Sequence, residues 1–156
     1  MRTYAIILLA IFLVSCGSKS PETTLAEFYS YAGAEDQLLD PLILEGDKVV
    51  PLVMEKIQYK DMPRRRYAIS FLGNGSYRES LPVLQQILGD KAEPDHFRCS
   101  ALQSIFQIDV QLGTTYAEKF QVENDCLGEM AKAILAKDTW IDRRRSYLDA
   151  WLGLHD

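Results

Sequence analysis

Apolar residues recur at helical spacing along almost the whole chain from Thr24 onward. The first such segment opens with Thr24-Leu-Ala-Glu27, which has the pattern of a capping box, and it ends near Gly33. A second segment runs from Asp36 to a natural stop at Gly46. Because later segments keep the same helical period, the pattern predicts an all-α protein.

Two of the later segments carry the same four-position pattern. Each has an apolar residue, a proline directly after it, and further apolar residues three and seven positions after the first. The first segment, DKVVPLVMEKI, has Val50, Pro51, Val53 and Ile57 at these positions, and the second, RESLPVLQQIL, has Leu81, Pro82, Leu84 and Leu88. The displacement between them is 31 residues.

The segments that follow these two also match each other. PRRRYAISFLG and HFRCSALQSIF superpose with a displacement of 33, which aligns Arg65 with Arg98, Ala68 with Ala101, Ile69 with Leu102, and Leu72 with Ile105. A turn two residues longer in the second unit accounts for the difference between 31 and 33. An internal repeat of helix-turn-helix units at this period is typical of a solenoid.

The recurring prolines allow two interpretations. If Ser76-x-x-Glu79 is a capping box, Pro82 lies inside a helix, where it removes a hydrogen bond, costs roughly 3 kcal/mol and kinks the helix. Alternatively, the helix begins later. The same position in both units favours a bend that belongs to the architecture.

Residues 46–108 resemble the HEAT-like repeat family, including its short PBS-lyase-type variant. The resemblance rests on a mid-helix proline in the first helix of each unit, an acidic or proline-containing turn, and an arginine near the start of the second helix. It implies a short right-handed α-solenoid of about eight or nine helices. Residues 24–45 are expected to cap its N-terminal end.

A third, more degenerate unit is expected near the C-terminus. Residues 125–137 would form its first helix and residues 140–152 its second, because RRRSYLDAWLG echoes RRRYAISFLG 79 residues later. This unit lacks the proline. Trp140, Tyr147 and Trp151 share one helical face there, where core packing is the default, and an exposed Trp151 would mark a partner surface.

The N-terminus has the organisation of a secretory signal peptide. Arg2 precedes an apolar run over residues 5–14, and small residues follow. About ten apolar residues are too few for a membrane-spanning helix, which needs roughly twenty. The predicted division is a signal peptide at 1–15, Cys16 with a polar tether at 16–23, and the repeat domain at 24–156.

Leu13-Val14-Ser15-Cys16 resembles the lipobox of bacterial lipoproteins. The resemblance implies that the Cys16 thiol becomes a diacylglyceryl thioether and the first residue after cleavage. Several acyl chains, at about 0.8 kcal/mol per buried CH₂, hold a domain on a membrane. Gly17 after the cysteine implies, in enteric-type lipoproteins, an outer-membrane location facing the periplasm. A plain signal peptide with an incidental cysteine is the alternative.

The net charge and the cysteine content limit the kinds of partner and the cysteine chemistry that the sequence allows. The net charge of −5 argues against a nucleic-acid binder, which needs a clustered basic face. Besides Cys16, the chain has Cys99 and Cys126. In an oxidising periplasm these two can pair, but each is also a common small core residue, so both alternatives stay open.

No catalytic constellation stands out in the sequence. His96 falls at a predicted helix start and His155 at the chain end, so neither begins a metal site or a nucleophile-base pair. The HExxH, CxxC, GxSxG and Walker A spacings do not occur. We therefore expect no enzyme, no metal and no cofactor apart from the covalent lipid on Cys16.

The unusual polar feature is a pair of arginine runs, Arg64-Arg65-Arg66 and Arg143-Arg144-Arg145. Three consecutive helical residues spread over about 200° of azimuth, so neither run places all three on one face. Either Arg65 and Arg98 pack beside a neighbouring repeat's carboxylate and carbonyls while the others are solvated, or the runs bind an acidic partner.

The expected function is that of a lipid-anchored envelope protein that binds a protein partner through the solenoid surface. It would touch the membrane only through its anchor and would bind no nucleic acid. The alternative is a binder of an anionic envelope ligand through the arginine runs. An enzyme of the PBS-lyase kind is the least favoured, because the resemblance concerns the scaffold and not a site.

Overall fold

The computed structural model describes residues 19–137, and this part of the chain is built from helices without strands. Eight α-helices follow one another: α1 (Pro21–Ser30), α2 (Asp40–Glu45), α3 (Val50–Lys56), α4 (Arg65–Asn74), α5 (Leu81–Gly89), α6 (Asp95–Ile108), α7 (Val110–Phe120) and α8 (Cys126–Leu135). Short 3₁₀ turns occupy Glu35–Gln37, Gly46–Lys48 and Arg78–Ser80. The predicted all-α fold is confirmed.

The helices alternate between two roles in a stack. The second helices of the repeat units form a row, in which α4 packs on α6 and α6 packs on α8. The first helices, α5 and α7, pack against this row, while α1 packs on α2 and α3 at the N-terminal end. One continuous core runs between the two rows, with Phe28, Ile57, Leu84, Leu102 and Leu127 all fully buried.

Side-chain hydrogen bonds between units connect residues about one repeat apart. The Ser104 hydroxyl donates to the Ile69 carbonyl, the Gln107 amide to Asn74, and the Gln85 amide to the Tyr116 hydroxyl, over separations of 35, 33 and 31 residues. A stack in which each unit contacts only its neighbours has this pattern. The solenoid is therefore visible in its individual contacts.

The interpretation of Pro51 and Pro82 as mid-helix kinks is wrong. Both lie in the first turn of their helices, α3 and α5, and Pro21 and Pro41 lie in the first turns of α1 and α2. A proline is well tolerated there because its missing N–H would have no partner inside the helix. The 3₁₀ turns directly before α3 and α5 delay the start of each helix.

The first helix, in contrast, begins earlier than the predicted start at Thr24. Ser20 caps α1, with its Oγ accepting a hydrogen bond from the Thr23 backbone N–H at 3.2 Å, and Pro21 opens the helix. Thr24 is buried in the helix body. Residues 21–23 of the predicted tether thus belong to the folded body, whereas the signal peptide and Cys16 lie outside the described residues.

The third unit differs from its predicted composition. Helix α7 pairs with α8, so the segment at 125–137 is the second helix of the unit and not the first. The apolar signal of α7 is weak because small residues, Gly113 and Ala117, form its buried face beside Phe120. At Gly113 a Cβ atom would collide with the backbone of Phe106, so glycine permits the close approach of α7 to α6. The segment 140–152 lies outside the described residues.

Candidate functional site

The first arginine run does not converge on one surface. Arg64 adopts a left-handed conformation, with φ at 56°, just before α4. Its guanidinium donates hydrogen bonds to the carbonyl oxygens of Phe28, at 2.7 Å, and of Tyr31. These are carbonyls at the C-terminal end of α1, which otherwise lack partners within the helix. Arg64 therefore joins α1 to α4.

Arg65 is buried in the interface between the first and second repeat units. Its Nε donates to the Ile57 carbonyl at 2.6 Å, and its two terminal nitrogens donate to the Glu93 carboxylate at 2.6 and 2.9 Å. The guanidinium also lies 4.8 Å from the centre of the Phe97 ring. A bidentate pair with an extra carbonyl bond satisfies much of the donor set of a buried arginine.

Arg98 repeats this arrangement one unit later. Its Nε donates to the Leu88 carbonyl at 3.1 Å, and it pairs with Glu123 at 3.5 Å. Leu88 holds the same position in its unit as Ile57. Arg65 and Arg98 thus contact a neighbouring carboxylate and a carbonyl, as the first interpretation from the sequence states.

Only Arg66 of the first run is exposed, and its guanidinium lies 5.2 Å from the centre of the Tyr67 ring. Because Arg64 and Arg65 are committed to internal contacts, residues 64–66 do not form a basic cluster open to a ligand. The second run, Arg143, Arg144 and Arg145, and also Trp151, lie outside the described residues.

The structure joins Cys99 and Cys126 in a disulfide, with their Cα atoms 5.8 Å apart. Cys99 is buried in α6, whereas Cys126 is exposed at the start of α8. The same helix start receives further support from Asp95, whose carboxylate accepts a hydrogen bond from the Cys126 backbone N–H at 2.8 Å. Two contacts therefore fix α8 to the beginning of α6.

Two carboxylates in the turns between helices, Asp90 and Asp125, have lowered pKa values. The pKa of Asp125 lies below its usual range, chiefly because the Gly128 backbone N–H donates to this carboxylate at the N-terminus of α8. The pKa of Asp90 is lowered mainly by its hydrogen bond with the Lys60 ammonium, 3.0 Å away. Both carboxylates belong to local turn and cap structures, and this makes them structural groups.

The sequence interpretation did not find a groove of about 590 Å³ between α1 and α2. Most of its surface is apolar, and Leu44, which is 68% exposed, lies in its wall. The other lining residues are Lys19, Thr24, Glu27, Ser30, Tyr31, Asp40, Pro41 and Glu45. The sequence signal was Leu44 itself, which follows the buried pair Leu42 and Ile43 and so faces away from the core.

Two buried oxygens in the groove wall accept no hydrogen bond from residues 19–137: Thr24 Oγ1 and Glu45 Oε1. Lys48 Nζ lies 3.4 Å from Glu45 Oε1, which makes an ion pair without hydrogen-bond geometry. Buried acceptors are ordinarily satisfied by protein, water or ligand. The groove therefore combines an apolar surface with a buried hydroxyl that has no partner among the described residues, and pockets of this composition are typical ligand sites.

Within residues 19–137, no group of three or more potential metal ligands comes together. The helices of this part are also too short or too polar to cross a membrane. Comparison of the chain with protein-family models, with curated proteins and with solved structures finds no match.

Proposed function

We propose that this chain is a lipid-anchored protein of the bacterial envelope that binds a protein partner through the surface of its helical stack. The observation that supports this proposal best is the repeat-to-repeat construction of the fold. Such stacks present an extended surface on which equivalent positions recur in each unit. Each first helix of a unit carries an exposed polar residue on this surface: Glu55 on α3, Gln86 on α5 and Glu118 on α7.

The anchor half of the proposal rests on the lipobox resemblance at Cys16. Metabolic labelling with a palmitate analogue tests it directly in wild type, Cys16→Ser and Cys126→Ser. We expect label on wild type and on Cys126→Ser, because that cysteine is engaged with Cys99 in the fold. Equal labelling of Cys16→Ser would contradict the anchor.

The binding half is tested by photocrosslinking in living cells. A photoreactive amino acid is placed singly at Glu55, Gln86 and Glu118 in one row of helices, and at Arg66 and Lys132 in the other. Since a partner that lies along the stack spans several units, we expect at least two positions of one row to capture the same protein. The proposal is contradicted if no two positions of the same row share a crosslinked protein.

The alternative, an anionic ligand held by the arginine runs, loses support at the first run. Arg64 and Arg65 donate to carbonyl and carboxylate groups of the fold itself. In the crosslinking experiment, Arg66→Ala separates the two ideas. A partner held through the first arginine run is lost in this variant, whereas one held along the stack is retained.

A further inference from the structure

The groove between α1 and α2 opens beside the segment that leads to the proposed anchor. Lys19 lines the groove, and Cys16 precedes it by three residues. Three residues of extended chain span at most about 11 Å. The attachment point of a lipid on Cys16 is therefore within about 11 Å of Lys19, which lines the groove.

The surface of the groove suits an aliphatic chain. Tyr31, Pro41 and Leu44 contribute apolar side chains, and the groove volume of about 590 Å³ lies within the range of small-molecule sites. Lys19 and Glu27 pair at 2.7 Å, with both side chains substantially exposed. Because this pair neutralises itself in solvent, its charges do not require a charged ligand.

A buried oxygen in the wall adds a second observation. Thr24 Oγ1 has no hydrogen-bond partner among residues 19–137, and Glu45 Oε1 has only its ion pair with Lys48 Nζ at 3.4 Å. An acylated N-terminal cysteine brings amide N–H groups together with its acyl chains, so donors and apolar chain arrive in one ligand. Leaving the buried Thr24 hydroxyl unsatisfied is unfavourable, and this gives the N-terminus a polar as well as an apolar reason to occupy the groove.

We propose that the α1–α2 groove holds one acyl chain of the lipid on Cys16 whenever that chain is not inserted in a membrane. This inference rests on the lipid anchor of the proposed function. The short connection makes docking intramolecular, which gives the acyl chain a high effective concentration at the groove. The groove shields the chain from water and competes with the bilayer for it.

Binding of free fatty acids tests the groove independently of lipidation. The protein is the complete mature chain with Cys16→Ser, and the probe is a fluorescent dansyl fatty acid, displaced by unlabelled saturated fatty acids of increasing length. We expect one saturable site, with affinity rising by up to about fourfold for each CH₂ that becomes buried. Absence of saturable binding would overturn the proposal.

The chain offers a matched pair of variants for this assay. Leu44→Asp places a charge in the groove, whereas Val122→Asp places the same charge on an apolar side chain that is 79% exposed in the α7–α8 turn. We expect at least a tenfold loss of affinity for Leu44→Asp and wild-type affinity for Val122→Asp. Ser30→Trp, which fills the groove without a charge, should also weaken binding. Equal affinity in all variants would overturn the groove as the site.

The occupant is identified with a photoactivatable palmitate analogue incorporated in cells. After irradiation of the non-membrane fraction, we expect crosslinks from Cys16 to peptides that contain Tyr31, Pro41 or Leu44. Crosslinks to other regions alone would overturn the proposal. Displacement of the dansyl probe by a cationic peptide, without displacement by fatty acids, would also do so and would assign the groove to a protein partner.

The two proposals fail in different ways. Label on Cys16 without fatty-acid binding would overturn the groove inference and leave the anchor standing. Fatty-acid binding without label on Cys16 would remove the anchor and, with it, the chain's own lipid as the occupant.

Discussion

The two interfaces between successive repeat units have an arginine at the equivalent position, but its ion pair is more buried and better formed at the first interface than at the second. At the first, Arg65 and Glu93 form a bidentate pair whose side chains are 1% and 4% exposed. At the second, Arg98 and Glu123 make one contact of 3.5 Å, with exposures of 11% and 33%. The second interface has the Cys99–Cys126 disulfide in addition. A repeat thus preserves the position of a residue, while its neighbours decide how much that residue contributes.

The largest effect is expected from breaking the first pair. Arg65→Met removes the bidentate partner of Glu93 and, among residues 19–137, leaves this buried carboxylate with only the exposed Lys60 ammonium, 3.8 Å away. We therefore expect the free energy of unfolding to fall by about 3–5 kcal/mol. Urea denaturation measures this change. Arg65→Met combined with Glu93→Leu should recover most of the loss, because removal of both charges also removes the uncompensated one.

Arg65→Lys is a sharper control for geometry. Lysine keeps the charge but cannot make the bidentate contact or donate to the Ile57 carbonyl at the same time. We expect the free energy of unfolding of Arg65→Lys to lie between those of wild type and Arg65→Met. A lysine variant as stable as wild type would show that charge alone sustains the interface.

Removal of the disulfide should have the second-largest effect, and it should be local. Cys99→Ala combined with Cys126→Ser opens the loop closed by the disulfide between two cysteines 27 residues apart. For a loop of this length we expect the free energy of unfolding to fall by about 3 kcal/mol. Hydrogen exchange should rise first in α8, while α4 stays protected. A uniform rise over both helices would contradict the picture of separable interfaces.

Arg98→Met should cost less than Arg65→Met, by our comparison about 1–2 kcal/mol, because its carboxylate partner remains partly hydrated. The same change in the disulfide-free background should cost more than it does in wild type, since Glu123 in the α7–α8 turn and Cys126 at the start of α8 are both held by α6, so the two contacts are not independent. Urea denaturation of the four proteins gives the coupling. Equal costs for Arg65→Met and Arg98→Met would overturn the comparison.

The repeat pattern in the sequence predicted one partner of each of these two ion pairs, the arginine. Arg65 and Arg98 were found from the sequence because the same residue type recurs at a fixed distance from the apolar positions of the same helix. Their partners, Glu93 and Glu123, were not found, since they lie in turns whose lengths differ and at separations of 28 and 25 residues. A period identifies equivalent helical positions better than it identifies contacts from turns.

Two features escaped the sequence for reasons of packing. Helix α7 was missed because its buried face uses Gly113 and Ala117, which carry little apolar signal but let it approach α6 closely. The groove was missed because it depends on the relative orientation of α1 and α2, and the periodicity of apolar residues does not predict how two helices are oriented. The prolines were found, but the 3₁₀ turns before α3 and α5 were not, so the starts of these two helices were placed too early.

The smallest expected effect concerns the cap of α8 in the second interface and appears only in acid. Asp125 has a lowered pKa because its ionised carboxylate accepts a hydrogen bond from the Gly128 N–H. Its contribution to stability is therefore present above its ordinary pKa of 3.8 and is lost as the pH falls through the lowered value in the folded protein.

Asp125→Asn keeps an oxygen acceptor at the cap but cannot titrate, so its unfolding free energy should fall less steeply than that of wild type below about pH 4. Urea denaturation between pH 2 and pH 7, at roughly one-unit steps, measures the two slopes. Asp61→Asn is the matched control, because Asp61 is an exposed carboxylate in the turn between α3 and α4 and caps none of the helices α1 to α8. If Asp61→Asn flattens the acid slope as much as Asp125→Asn does, the cap is not the source of the acid sensitivity, and general charge repulsion is.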